Sequence, residues 1–144
     1  MRALTLTLIV CLLPACGEKM TVAQRVIATL HSMEDAAENG RHFDFMAYVA
    51  DDFSGQQGSM DRRDFHRFMI FQINQNQRLK ANFLPIYVTS TNDQHAKAHF
   101  RILVTGGAGL LPEHGELFEV DSTWILDGDD WLLQSADWES VLDH

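Results

Sequence analysis

The spacing of apolar residues changes once along the chain, from a repeat of about 3.6 residues before Lys80 to about 2 residues after it. Before that point, three segments place apolar side chains at three- and four-residue steps, as on the buried face of a helix. We therefore predict helices over residues 22–39, 43–50 and 61–77.

The polar residues at the ends of these segments support two of the helices. Thr21 stands where an N-cap is needed, and Asn39-Gly40 is a typical helix end. Asp61, with Asp64 three residues later, has the spacing of a capping pair. We expect Thr21 and Asp61 to begin the first and third helices.

After Lys80, apolar and polar residues alternate, which is the pattern of a strand with one buried face. We predict about four long strands over residues 83–91, 96–105, 118–126 and 131–139. Turn residues follow the first and third of them, at Asn92-Asp93 and at residues 127–130. Three N-terminal helices packed on a curved antiparallel sheet make an α+β domain.

The first twenty residues predict export and lipid anchoring. Arg2 precedes an apolar run over residues 3–13, which is too short to cross a bilayer of about 30 Å and is typical of a signal peptide. Cys11 lies inside that run, so its removal would leave Cys16 without an intramolecular partner. An ordinary signal peptide cut near Ala15, or a disulfide at Cys16, remains the alternative.

The residues Leu13-Pro14-Ala15-Cys16 resemble the lipobox of bacterial lipoproteins. That resemblance implies a signal peptide over residues 1–15, acylation of Cys16, and a lipidated tether over residues 16–20. A domain over residues 21–144 would follow on the periplasmic side of the cell envelope. Several acyl chains give durable anchoring. Gly17 stands where an aspartate would imply retention in the inner membrane, so the outer membrane is favoured.

The charge of the chain excludes one class of partner. The sequence has 20 acidic and 11 basic residues, with a formal net charge of −9. No lysine or arginine follows Arg101, whereas ten acidic residues lie between Glu113 and Asp143. A nucleic-acid-binding protein needs a positive surface, so we predict no nucleic-acid partner. Anionic lipid would not attract the folded domain either, which leaves the lipid on Cys16 as the membrane contact.

Three segments resemble the nuclear transport factor 2-like superfamily, which includes SnoaL-like proteins and ketosteroid isomerases: FDFMAYVADDFSG, DRRDFHRFMIFQI and STWILDGDDWLLQSADWE. The resemblance covers roughly residues 21–140. Together with the N-terminal segment, it is similar to uncharacterised bacterial lipoproteins that contain a single such domain. It implies a cone-shaped fold, a conical pocket for a small apolar molecule, and homodimers through the open face of the sheet. Four residues could contribute to that face, namely Leu103, Thr105, Ile125 and Leu133.

Aromatic residues are the candidates for the wall of the pocket. The ligand-binding residues that we predict are Tyr48, Phe53, Phe100, Phe118, Trp124 and Trp138. The alternative is that these rings simply fill the core, in which case the domain is a protein-interaction scaffold without a pocket.

Catalysis has weaker support in the sequence. Ketosteroid isomerases hold a carboxylate base in the apolar cone, and the resemblance places Gln57 at that position, where an amide cannot act as a base. The rival hypothesis is an isomerase or hydrolase that uses Asp137 on the last strand, close to Trp124 and Trp138. The Asp-Arg-Arg-Asp segment at residues 61–64 is better explained as the start of a helix.

The sequence predicts no metal and no cofactor. Its seven histidines are scattered, and His95 and His99 would lie roughly 13 Å apart along a strand, too far for one ion. The glycine-rich segment at residues 106–109 lacks the lysine of a phosphate-binding loop. We therefore expect a lipid-anchored envelope protein that binds a small apolar ligand or another envelope protein.

Overall fold

The computed structural model describes residues 17–75, 78–107 and 114–141. Three helices are present in these residues: α1 (Val22–Glu38), α2 (His42–Met46) and α3 (Arg62–Gln75). The strands are β1 (Val49–Gly55), β2 (Met60–Asp61), β3 (Lys80–Phe83), β4 (Tyr87–Asn92), β5 (His95–Gly106), β6 (His114–Asp127) and β7 (Asp130–Ser140). A short 3₁₀ turn over Gln56–Gly58 connects β1 to β2.

These strands form one sheet in the order β2-β1-β7-β6-β5-β3, and β4 also pairs with β5. The predicted α+β class is confirmed, with three helices packed on a curved sheet. The predicted number of strands is wrong, because the described residues contain seven rather than about four. The sheet is also not purely antiparallel, since β1 runs parallel to β7.

The predicted helix over residues 43–50 is wrong in its second half. Helix α2 ends at Met46, and β1 begins at Val49. Val49 and Phe53 are each 3% exposed, because the parallel pairing with β7 turns them into the core. A helical face would instead have buried Phe43, which is 74% exposed.

The predicted strand over residues 83–91 begins too early, because it shares only Phe83 with β3 and its continuous part is β4. These two strands pair with different parts of β5. β3 pairs with residues 102–105, and β4 pairs with residues 95–99. Pro85 lies between them and has no backbone N–H to give to the sheet. The break at this proline explains why residues 84–86 belong to neither strand.

Both predicted N-caps are confirmed. The Gln24 backbone N–H donates to Thr21 Oγ1 at 3.1 Å, and the Gln24 side chain accepts from the Thr21 N–H at 2.8 Å. This reciprocal pair is a capping box, which satisfies two N–H groups at the start of α1. Asp61 Oδ1 accepts from the Asp64 N–H at 2.8 Å and so begins α3.

The core lies between the concave face of the sheet and the helices α1 and α3. Trp124 on β6 is fully buried at its centre. Its indole N–H donates to Ser122 Oγ at 2.9 Å, and that hydroxyl donates to the Ala98 carbonyl at 3.0 Å. The buried polar groups of this pair are therefore satisfied. No helix within the described residues is both long and apolar enough to span a membrane.

Candidate ligand-binding cavity

A cavity of about 520 Å³ lies between the concave face of the sheet and helices α1 and α3. The helices contribute one wall and the inward positions of β3, β5, β6 and β7 contribute the other. The apolar residues of the lining are Leu30, Met33, Ala37, Phe45, Phe65, Phe68, Met69, Leu79, Ala81, Phe83, Phe100, Ile102, Val104, Phe118, Val120, Trp124, Leu133, Ala136 and Trp138.

The strand register explains why the sheet presents an apolar wall. Directly opposite residues of an antiparallel pair point to the same face. Phe100 on β5 lies opposite Val120 on β6, and Val120 lies opposite Trp138 on β7. A row of large side chains thus crosses three strands on the side that faces the helices.

Four of the six predicted aromatic residues line this cavity, namely Phe100, Phe118, Trp124 and Trp138. Phe53 lies behind the wall, where its ring stacks on Phe65 with the centroids 4.6 Å apart. Tyr48 lies in a separate surface groove beside Asp35, Arg41 and Asp44.

The helical wall contains residues that the sequence analysis did not assign to the site. On α1 these include Leu30, Met33 and Glu34, and on α3 they include Phe65 and Phe68. Their three- and four-residue spacing is the signal that could have found them. That spacing places the carboxylate of Glu34 on the same face as Leu30 and Ala37.

Polar residues are few in the lining. They are Glu34, Gln72, His114, Glu116 and Ser122, and the lining within the described residues contains no lysine or arginine. The Glu34 side chain is only 20% exposed, and its Oε2 lies 2.8 Å from His31 Nδ1. The His31 ring in turn meets the edge of Phe83, with the centroids 5.5 Å apart.

Asp137, the candidate base, lies on the opposite side of the sheet from the cavity. Its neighbours Ala136 and Trp138 line the cavity, so the alternation of β7 directs Asp137 outward, where it is exposed. Its carboxylate accepts a hydrogen bond from the Gln57 backbone N–H at 2.7 Å. Gln57 is itself exposed, so neither residue can reach a molecule in the cavity.

The described histidines form contacts with neighbouring side chains and do not cluster with one another around a common point. His99 lies 2.9 Å from Asp121, and His42 Nδ1 lies 2.9 Å from His66 Nε2. Within the part of the chain that the structure describes, no three histidine, cysteine or carboxylate side chains are arranged to hold a metal ion.

The remaining predicted residues concern the sheet face and the anchor. The register of β5 and β6 puts Leu103, Thr105 and Ile125 on the outer face. Leu133 is 5% exposed and lines the cavity, so it is unavailable to a partner on that face. Cys16, the predicted lipidation site, lies outside the described residues.

No protein-family model and no curated protein sequence matches this chain. Solved structures do resemble it. An NTF2-like protein of unknown function from Pseudomonas putida has a TM-score of 0.70 at 13% identity, over 87% of this chain and 92% of that one. A putative scytalone dehydratase from Novosphingobium aromaticivorans has a TM-score of 0.70 at 9% identity, over 83% and 84% of the two chains.

A third similar structure is Bd1075 of Bdellovibrio bacteriovorus, with a TM-score of 0.69 at 11% identity. The match covers 81% of this chain but only 41% of that protein. At such low identities, likeness establishes a shared fold and carries no reaction or ligand with it.

Proposed function

We propose that this chain, which has the nuclear transport factor 2-like cone fold, is a lipid-anchored envelope protein that binds a small apolar ligand. The observation that carries the proposal is the cavity of about 520 Å³ between the sheet and the helices. Ligand sites of roughly 300–1,000 Å³ that are lined mainly by apolar and aromatic side chains are typical of small-molecule binding.

The lining of the cavity favours an apolar ligand. Nineteen of the 25 lining residues are apolar, and eight of these carry aromatic rings. Each buried CH₂ group of a ligand gains about 0.8 kcal/mol on leaving water. The burial of Trp124 and Leu133 closes the inner end to solvent, so most of a small ligand could be covered.

The two rival functions have less support. The scaffold hypothesis assumes that the aromatic rings fill the core, which would leave no cavity of this size. An isomerase or hydrolase that uses Asp137 requires that carboxylate inside the cone, whereas Asp137 is exposed on the other face of the sheet. The Novosphingobium neighbour is described as a putative scytalone dehydratase. That description applies to the neighbour and does not support an enzymatic function for this chain.

The lipid anchor is proposed from the N-terminal sequence. Residues 17–20 are exposed and lead directly into α1, so they could serve as the tether after Cys16. Replacing Cys16 with serine should abolish labelling by a fatty-acid analogue in cells. Labelling that persists in Cys16→Ser would refute the anchor without affecting the ligand proposal.

The ligand proposal is tested by native mass spectrometry of the full chain, purified without detergent. Cys16→Ser is used so that no acyl chain of the protein can enter the cavity. We expect a stoichiometric small molecule to co-purify with it. A clean apo mass, together with no thermal shift across a panel of lipids and metabolites, would favour the scaffold.

A pair of variants on α1 locates the binding site. Ala37 lines the cavity and Ala28 is exposed on the same helix. We expect Ala37→Met to displace the co-purified molecule, because the longer side chain occupies part of its volume. Ala28→Met should retain it, and equal retention by both variants would place the ligand elsewhere.

A further inference from the structure

We propose that the ligand of this cavity carries a cationic amine at one end of its apolar body. This inference rests on the proposed binding function and adds the charge of the ligand to it. The sign of that charge follows from the polar residues at the open end of the cavity.

The cavity has one closed end and one open end. Trp124, Leu133 and Ala136 line the closed end, where each is at most 5% exposed. The start of β6 forms the open end, since Glu116 and the residues just before it are exposed there. A ligand with one polar group would therefore bury its apolar body and leave the polar group beside β6.

Glu34 lies toward the same end as Glu116, on the opposite wall. One turn beyond Glu34 on α1, Glu38 Oε1 accepts a hydrogen bond from the Ala81 N–H at 2.9 Å. Ala81 is the register partner of Val104, which is the register partner of Glu116. The last turns of α1 thus lie over the part of the sheet that leads to the open end.

The basic residues near the two carboxylates are histidines: His31 pairs with Glu34, and His114 lies two positions before Glu116 in the lining. The lining within the described residues contains no lysine or arginine, and the sequence has none after Arg101. One Glu34 oxygen faces His31, and the other forms no hydrogen bond within the described residues. A ligand ammonium group could donate a hydrogen bond to this second Glu34 oxygen.

The free-energy consequence differs between ligands of opposite charge. An anionic end group would lose water and meet two carboxylates, with no lysine or arginine in the described lining to attract it, so desolvation and repulsion would both oppose its binding. An ammonium group would form charge-assisted hydrogen bonds instead. Phe83 and Phe118 also line this half of the cavity, and aromatic faces attract cations.

The test uses three ligands that share one naphthalene ring: 1-naphthylmethylamine, 1-naphthylmethanol and 1-naphthoate. Their affinities for the full chain carrying Cys16→Ser are measured by isothermal titration calorimetry at pH 7.5 and low salt. We expect the amine to bind at least about tenfold more tightly than the alcohol, and the carboxylate to bind most weakly.

Charge-removing variants assign the preference to the two carboxylates. Glu34→Gln and Glu116→Gln should each reduce the preference for the amine over the alcohol several-fold, while the affinity of the alcohol stays the same. Glu139→Gln is the control, because Glu139 is a carboxylate on the outer face of the same sheet. It should leave all three affinities unchanged.

The outcomes separate this inference from the proposed function. If the amine and the alcohol bind equally, or if the carboxylate binds best, the assignment of a cationic ligand is wrong and the apolar site stands. The assignment is also wrong if Glu34→Gln and Glu116→Gln both keep the full preference. If none of the three compounds binds, the assignment of a cationic ligand is wrong, and the native mass spectrum of the same Cys16→Ser chain decides separately whether the apolar site stands.

Discussion

At the scale of single residues, Gln56 and Gln57 both have positive φ angles, of 49° and 58°. Such angles are strained for residues with a side chain. Strand β7 holds them in place: the Gln56 side chain donates to the Trp138 carbonyl and accepts from the Trp138 N–H, each at 3.1 Å. Asp137 accepts from the Gln57 N–H. Asp137 therefore secures the turn between β1 and β2.

A structural role for Asp137 gives a prediction that a catalytic role would not. Asp137→Ala should lower the free energy of unfolding by about 0.5–1.5 kcal/mol, because the Gln57 N–H loses its acceptor. Asp137→Asn should lose less, since its amide oxygen can still accept. Urea denaturation measures both, and titration of a cavity ligand should give unchanged affinities. A large loss of affinity in Asp137→Asn would return this residue to the functional site.

Residue type alone could not have placed Asp137. In the sequence, Asp137 lies beside Trp138 and two positions from Ser135. The hypothesis that Asp137 acts inside the cone depended on which face of β7 points toward the helices. A bulge between Thr123 and Trp124 shifts the register of β6 against β7. Such a shift changes which residues share a face. The alternation of β5 has no such interruption, and Phe100 lines the cavity.

At the scale of the elements, a pair of histidines joins α2 to α3. His42 Nδ1 and His66 Nε2 are 2.9 Å apart, so one ring must donate and the other accept. Burial lowers the pKa of His66 below its ordinary value of 6.5, and the nearby His42 and Arg62 lower it further. A second proton on this pair would break the hydrogen bond and place two cations together.

The lowered pKa predicts a loss of stability in acid. Well above pH 6.5, His66 is neutral in both the folded and the unfolded state, and its contribution to stability is complete. As the pH falls, the unfolded state takes up a proton that the folded state resists until its own lower pKa is reached. The free energy of unfolding should therefore fall from pH 7.5 to 5.5.

Denaturation at both pH values, on wild type and two variants, checks this assignment. His66→Gln should lose less stability between pH 7.5 and 5.5 than the wild type does. His95→Gln, at an exposed position on β5, should lose as much as the wild type. If all three proteins lose equally, the pH dependence arises elsewhere.

The elements also differ in how far the sequence could predict them. Thr21 and Asp61 act within one helical turn, so their capping contacts are encoded locally. Strand β1 depends on the parallel pairing of Val49 with Leu133, 84 positions later in the chain. Asp51 and Asp52 interrupt its alternation of buried residues. Local propensity could not reveal a strand that a distant partner stabilises.

At the scale of the whole molecule, the sequence could indicate a core face but not an empty volume. The three- and four-residue spacing on α3 puts Phe65 and Phe68 on one apolar face, and alternation on β5 puts Phe100 on another. Whether these side chains meet or remain apart depends on the curvature of the sheet and the height of the helices above it. The distance between the helices and the sheet cannot be derived from the spacing of residues along one element.

The outer face of the sheet bears on the homodimer that the family resemblance implies. Four carboxylates occupy its centre, where Glu119 lies opposite Glu139 and Asp121 lies opposite Asp137. The apolar residues Leu103 and Ile125 lie toward opposite ends of that face. β5 adds His99 and Arg101 to the same face, and Arg101 lies 3.6 Å from Glu119. Two copies that met carboxylate to carboxylate would repel each other, so we expect a dimer with that arrangement to form only where salt screens the repulsion.

The same carboxylates predict how the stability of the single chain responds to salt. Like charges directly opposite on neighbouring strands are destabilising, by about 0.2–1 kcal/mol per pair. The net charge of −9 adds a general repulsion. Raising sodium chloride from 10 to 300 mM should therefore increase the free energy of unfolding.

At 10 mM salt, Glu139→Gln should be more stable than the wild type by about 0.2–1 kcal/mol, and its response to salt should be smaller. Glu18→Gln removes one charge from the exposed segment before α1, so it should retain nearly the full response. If both variants respond to salt alike, the net charge rather than the cross-strand pair is responsible.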